Sequence, residues 1–312
     1  VIVVPDDFPS VFAGSEAHER ARELGEVRVF DERGAEDETE LVRRLGGAAV
    51  AVNIRAYARF SEAVLAACPS LRMISIWGTG TDNVDLEAAA RRGITVCNTP
   101  GVNADAVAEH TIALMLAVAR RLPQIDRGMR ADGWPREMLV QLKGKTLAVF
   151  GTGAIGSRVA ALARAFGMTV LAWSARGGTA AQKADMLGEA DFVSLHLRLT
   201  PQTRGFLGSR EFARMKAQAI LVNTGRGPLV DREALIEALN SGRIAGAGLD
   251  VFHDEPLKPG DPLTRLDNTV LSPHNAGQTP EVRRDGLLLA IRNVECFLAG
   301  NPVNAVGPVS AG

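Results

Sequence analysis

Short β-branched runs alternate along this chain with stretches whose apolar positions repeat at helical spacing. In the first third, residues 1–4, 27–30, 48–53, 72–76 and 94–97 read as strands, with helices near 15–24, 37–45, 61–67 and 86–92. Ser61 is placed to cap the third of these helices. Pro100-Gly101 then reads as a linker, and Ala104 to about Arg130 as one long helix. Ile112, Leu114, Met115, Leu116, Val118 and Ala119 make that helix apolar on more than one face, so it is expected to be buried between domains or against another subunit. The rhythm restarts at Thr146, with strands at 146–150, 169–173, 192–197, 219–223, 246–251 and 269–272. A last helix starts with Thr279 as N-cap and Pro280 in the first position, and runs to about Leu298, where Gly300 can end it. This order predicts an α/β protein with two Rossmann-like or flavodoxin-like parallel-sheet domains separated by a cleft. No internal repeat or low-complexity tract interrupts it.

Composition narrows the classes. A length of 312 residues suits about two domains. The formal net charge of −1 gives no reason to expect a nucleic acid or other polyanion as partner. Val1-Ile2-Val3-Val4 followed by Pro5-Asp6-Asp7 reads as a strand and turn, and no later stretch is long and apolar enough to span a membrane. Cys68, Cys97 and Cys296 lack the spacing of a metal site or a disulfide framework. They are read as packing residues of a cytoplasmic protein, with no metal expected.

Candidate chemistry begins at Gly151-Thr152-Gly153-Ala154-Ile155-Gly156, which follows the strand 146–150 and opens a helical run. Gly151 would allow a tight turn, Gly153 the approach of a pyrophosphate, and Gly156 close packing of helix on strand. Ala154 and Ile155 would begin a helix whose free N–H groups face phosphate. The alternatives are a ligand-free βα turn and a site for a methyl-donor nucleotide. Six strands are also the number in a full dinucleotide-binding sheet. The next strand ends at Ser174-Ala175-Arg176, where an NAD site normally carries a carboxylate for the ribose 2′-hydroxyl. With that carboxylate missing and a cation two residues on, NADP is favoured and NAD is the alternative. In the NAD reading, Arg176 points to solvent or stacks on adenine.

Three further residues stand just beyond successive apolar runs: Arg226 in Asn223-Thr224-Gly225-Arg226-Gly227-Pro228, Glu255 in the run from Leu249 to Pro256, and His274 in Ser272-Pro273-His274-Asn275-Ala276-Gly277. Each alone has an ordinary structural reading as a surface arginine, a turn glutamate or a structural histidine. Jointly they fall where open α/β sheets bind ligands, at the carboxyl ends of strands. A cation, a carboxylate and an imidazole beside a nicotinamide are what reduction of a 2-keto acid requires.

With these motifs the chain resembles the D-isomer-specific 2-hydroxyacid dehydrogenase family over nearly its full length. The resemblance rests on Gly151–Gly156, Asn223–Pro228, Gly248–Pro256, Pro273–Gly277 and Gly78-Thr79-Gly80-Thr81-Asp82-Asn83-Val84-Asp85. Asn98-Thr99-Pro100 and Val107-Ala108-Glu109 also look like the family's hinge and first helix. The resemblance implies that Arg226 binds and polarises the substrate, that His274 exchanges the proton, and that Glu255 orients and charges the imidazole. It implies that Asp250 fixes the nicotinamide carboxamide, that Thr224, Gly225 and Gly277 lie along the cofactor, and that backbone N–H groups of Thr79, Gly80 or Thr81 hold the substrate carboxylate. The substrate is then a small 2-keto or 2-hydroxy acid, and the apolar helix from Ala104 suggests a homodimer through the cofactor domains. Residues 1–98 with 277–312 would form the substrate domain and 99–276 the cofactor domain, with hinges at 98–101 and 274–279. Asn275 stands where the family usually has an apolar residue, and Arg198 where a small residue or Pro is commoner. Arg198 is read as a second 2′-phosphate contact or a surface cation, and Arg55 as a contact for a substrate's distal group or a surface residue. Two other functions fit the same motifs: a dinucleotide-sensing protein like the family's corepressors, and a formate- or phosphite-type dehydrogenase.

Overall fold

The computed structural model describes residues 1–54 and 57–307. Arg55 lies outside the described residues. The chain divides into two compact units, Val1–Asn103 with Gln278–Gly312, and Ala104–Gly277.

In the first unit the apolar runs become five parallel strands: β1 (Ile2–Val4), β2 (Val27–Val29), β3 (Val50–Asn53), β4 (Met73–Ile76) and β5 (Thr95–Cys97), in the order β2-β1-β3-β4-β5. Both faces are buried, which is why the strands read as continuous apolar runs. Val3, Ala51, Ile74 and Val96 pack on one side. Ile2, Val4, Val50, Val52 and Met73 pack on the other, against Leu287, Ala290, Ile291 and Val294 of the helix Pro280–Leu298. That helix begins as expected, with Thr279 Oγ1 accepting from the Val282 N–H at 3.2 Å. Ser61 likewise caps the helix Glu62–Ala67 by accepting from the Val64 N–H.

The second unit contains β6 (Thr146–Phe150), β7 (Thr169–Trp173), β8 (Phe192–Leu195), β9 (Ile220–Asn223), β10 (Gly246–Leu249) and β11 (Thr269–Leu271). All pair in parallel, in the order β11-β10-β9-β8-β6-β7. Connections leave β6 and β8 in opposite directions, so the topological switch point lies between them, the usual place for a ligand crevice.

The single helix expected over 104–130 is two helices, Ala104–Ala119 and Leu122–Arg130, with Arg121 left-handed at φ 47° between them. Pro123 is the cause. It has no N–H to give to the Ala119 carbonyl, and its ring would crowd that oxygen in a continuous helix. The Ala119 carbonyl accepts instead from the Val140 N–H at 3.0 Å. Ala104–Ala119 is also buried differently from expectation: it lies on the sheet of its own unit. Gly248 and Gly246 of β10 admit it, since a Cβ on either would come within 2.9 Å of Leu114 Cβ or Val118 Cγ1. Among the described residues no helix is long and apolar enough to cross a membrane, and no group of three or more metal-binding side chains occurs.

Candidate active site

The glycine turn after β6 is built by close approach. Gly151 has φ 103°, and a Cβ there would strike the backbone of His196 beyond β8. A Cβ on Gly156 would strike the Gly151 carbonyl. Gly153 differs, because a Cβ there would meet nothing within 4 Å. It is the N-cap of the helix Ala154–Ala165, so no capping side chain occupies the first N–H groups and no acidic residue stands in the first turn. Free N–H groups, the positive end of the helix and open space at Gly153 fit a dinucleotide pyrophosphate.

At the end of β7, Ser174 is half-buried and Arg176 is exposed. The Arg176 N–H reaches Ser174 Oγ at 3.4 Å, and among the described residues its guanidinium forms no ion pair. Trp173 Nε1 donates to the Thr179 carbonyl at 3.2 Å, and the Gly178 N–H donates to the Ser174 carbonyl at 2.7 Å, which closes the turn that carries both residues. Arg198 is exposed, and its carbonyl accepts from Thr203 Oγ1.

Beyond β9, Asn223 folds the turn that presents Arg226. Its Oδ1 accepts from the Gly225 N–H at 3.0 Å and its Nδ2 donates to the Arg226 carbonyl at 2.9 Å. Thr224 Oγ1 is tied to Thr111 Oγ1 at 2.9 Å. Arg226 has extended backbone, and one guanidinium nitrogen donates to the Gly225 carbonyl at 2.8 Å. Gly227 must be glycine, because a Cβ there would collide with the Phe252 carbonyl after β10.

Glu255 joins two of these turns. Its Oε1 accepts from the Phe252 N–H at 2.9 Å, and its Oε2 lies 2.6 Å from His274 Nδ1. Burial pushes the Glu255 carboxyl up, but the His274 imidazole, the Phe252 N–H and the Arg226 charge outweigh it and hold it below its usual 4.5. An ionised carboxylate only accepts. The Nδ1 proton therefore sits on the imidazole, and Nε2 is the atom free to take up or release a proton. The His274 side chain remains 49% exposed, which leaves Nε2 reachable.

His274 is left-handed at φ 56°, and the strain is held by its surroundings. Its N–H donates to the Asp250 carbonyl at 2.8 Å. The Asp250 carboxylate is buried, with Oδ1 accepting from Asn275 N–H at 2.9 Å and from Ser272 Oγ, and Oδ2 accepting from Ala276 N–H at 3.0 Å. Burial raises its carboxyl, but the His110, Ser272, Ala276 and Asn275 donors prevail and keep it below the usual 3.8. Asp250 thus anchors the His274 turn on both sides. His110 Nε2 lies 3.0 Å from Ser272 Oγ; since that hydroxyl gives its proton to Asp250, the imidazole is the donor. His110, Thr111 and Ser272 were not singled out from sequence. The available signal was an imidazole, His110, on a largely apolar helix.

In the first unit, Thr79, Gly80 and Thr81 follow β4. Their N–H groups have no hydrogen-bond partner among the described residues. Gly78 donates its N–H to Thr99 Oγ1 at 2.8 Å and has φ 139°.

A doubly wound parallel sheet with an open glycine turn at its switch point defines a dinucleotide-binding protein, and a carboxylate-bound imidazole beyond β11, at the same carboxyl end of the sheet, equips it for proton exchange. Residues 112–276 match the D-isomer specific 2-hydroxyacid dehydrogenase NAD binding domain. The chain is 45% identical to a glyoxylate reductase of Aeropyrum pernix over 262 residues, covering 78% of each protein. Its fold matches an acyclic imino acid reductase in complex with NADPH and D-arginine at a TM-score of 0.90, with 28% identity over 98% of this chain and 99% of that one. It matches a D-lactate dehydrogenase from Aquifex aeolicus, complexed with NAD and lactic acid, at a TM-score of 0.85, with 28% identity over 99% of this chain and 100% of the other. The chain belongs to the D-isomer-specific 2-hydroxyacid dehydrogenase family of oxidoreductases.

Proposed function

We propose that this protein reduces small 2-keto acids to D-2-hydroxy acids, and runs the reverse reaction, with NADPH preferred over NADH. The observation that carries the reading is the 2.6 Å contact between Glu255 and His274 in a chain of this family, with Nε2 left open. A bound reduced nicotinamide would supply the hydride. His274 Nε2 gives its proton to the carbonyl oxygen, and Glu255 balances the charge on the ring before that transfer. Arg226 takes the carbonyl and carboxylate oxygens through its planar fork and draws electron density toward the oxygen. Backbone N–H groups of Thr79, Gly80 or Thr81 take the carboxylate. Gly151, Gly153, Ala154, Ile155 and Gly156 cradle the pyrophosphate, while Thr224, Gly225, Asp250 and Gly277 line the cofactor. Among the described residues Asp250 Oδ2 accepts one hydrogen bond, from the Ala276 N–H, so it keeps a lone pair for a carboxamide.

The cofactor preference rests on Ser174 and Arg176. No carboxylate repels a 2′-phosphate at Ser174, and a charge-assisted bond from Arg176 is worth about 1.5–3 kcal/mol. That corresponds to a preference of roughly tenfold to a hundredfold. A panel of 2-keto acids (glyoxylate, hydroxypyruvate, phenylpyruvate) assayed with both cofactors tests the reading. Ser174→Asp should reverse the ratio of kcat/KM values, and a wild-type ratio favouring NADH would refute the assignment.

We also propose a homodimer. Leu122, Met129, Trp134 and Met138 follow one another along the second unit with exposures of 53%, 43%, 75% and 99%. Exposed apolar side chains of this size support an interaction surface there. Light scattering at micromolar concentration checks it, with a monomer as the refuting result. The three free cysteines suit a reducing compartment, which supports a cytoplasmic location.

A further inference from the structure

The loop at Thr79–Thr81 owes its shape to residues far along the chain. Asn98 Nδ2 donates to the Thr79 carbonyl at 2.8 Å, and the Thr99 N–H donates to the Gly78 carbonyl at 2.9 Å. In a trans peptide the carbonyl and the following N–H point in opposite directions. Fixing the Gly78 and Thr79 carbonyls on Asn98-Thr99 therefore aims the Thr79 and Gly80 N–H groups away from that segment. Asn98 is itself held. Its carbonyl accepts from Asn293 Nδ2 at 2.9 Å, and Asn293 Oδ1 accepts from Asn304 Nδ2 at 2.9 Å. The Asn98 N–H donates to the Asn304 carbonyl at 3.2 Å. Asn293 is fully buried in the helix Pro280–Leu298, with both ends of its amide bonded.

We propose that Asn98, Asn293 and Asn304 are positioning residues that aim the Thr79 and Gly80 N–H groups at the carboxylate of the substrate. The proposal rests on the functional reading above. The relay is more than a fastening of the C-terminal segment, because that segment is already pinned by backbone: Val306 N–H donates to the Val96 carbonyl at 2.8 Å, and Ala305 bridges Cys97. Its last member can also be removed without strain. Asn304 has φ 54°, a conformation glycine adopts freely, so Asn304→Gly deletes the amide and keeps the turn.

The experiment uses the full chain, glyoxylate as substrate, NADPH fluorescence for cofactor affinity and thermal unfolding as the folding check. Asn98→Asp preserves shape but loses the donor to the Thr79 carbonyl. It should raise the KM for glyoxylate about tenfold, and Asn304→Gly should raise it about two- to fivefold, the scale of one hydrogen bond. In both variants kcat and the cofactor Kd should stay within about twofold of wild type, since weaker uniform binding raises KM alone. Preference for the keto acid over its uncharged amide should fall in parallel. Unchanged KM in both variants, or an equal loss of kcat, KM and cofactor affinity, overturns the proposal. If Asn98→Asp does not fold, Asn304→Gly decides. A wild-type protein inactive on every keto acid with either cofactor overturns the functional reading instead.

Discussion

At the residue scale, the proposed chemistry turns on which nitrogen of His274 is free. Glu255 occupies Nδ1 at 2.6 Å and is held below its usual range by His274, the Phe252 N–H and Arg226 against the effect of burial, so in the proposed reaction acid–base work falls to Nε2. The left-handed His274 turn would relax without Asp250, whose carbonyl and carboxylate hold the residues on either side of it. His274→Ala should therefore lower kcat by about two to four orders of magnitude, the worth of a positioned proton donor. NADPH affinity should persist, because the glycine turn at Gly151–Gly156 makes no use of the imidazole. Steady-state kinetics with fluorescence titration of the cofactor checks both halves. Near-normal turnover in the variant would mean that another group moves the proton.

At the element scale, glycines decide where helix and strand meet. Gly248 lies in β10 beneath Leu114, where an added Cβ would sit 2.9 Å from Leu114 Cβ. Gly248→Ala should destabilise the protein by about 1–3 kcal/mol, the usual cost of overpacking. The urea midpoint should fall with an unchanged m-value; a midpoint equal to wild type would show that the helix Ala104–Ala119 shifts freely on the sheet. The same element records the limit of periodicity as a guide. Apolar spacing runs unbroken through Arg121, yet Pro123 withholds an N–H from Ala119, and a distant residue, Val140, supplies it. A hydrophobic pattern carries no information about a backbone hydrogen bond such as that from Val140 to Ala119, which closes across 21 residues of sequence.

At the scale of the whole molecule, stability depends on a histidine at the switch point. Burial depresses the His196 imidazole from 6.5 to about 4. Its Nε2 bonds Ser194 Oγ at 2.8 Å, and Nδ1 is sealed without a hydrogen-bond partner among the described residues. The unfolded chain takes up a proton as pH falls through 6.5, while the folded chain does so only near 4, so stability rises with pH across that window. Because His196 keeps part of its surface, the loss between pH 7 and 5 is about 1–2 kcal/mol. The carboxylates of Asp250 and Glu255 are held low and lose their contribution only below the ordinary carboxylate range, so they do not mask it. Urea unfolding at pH 7 and 5 should display the loss, and His196→Gln should flatten it. An equal slope in the variant would assign the dependence elsewhere.

The sequence by itself determined the alternation of strands and helices, the glycine turn after β6, and the appearance of Arg226, Glu255 and His274 beyond β9, β10 and β11. These are local properties: burial on both faces forces continuous apolar strands, and a tight turn forces glycine. The caps at Ser61 and Thr279 were legible for the same reason. Only the tertiary structure decided which partners those residues meet. His110 and Ser272 reach Asp250 across 140 and 22 residues, Asn293 reaches Asn98 across 195, and Thr111 reaches Thr224 across 113. A hydrogen bond is made by positions in space, and a polar residue read along the chain carries no mark of the partner that folding brings to it.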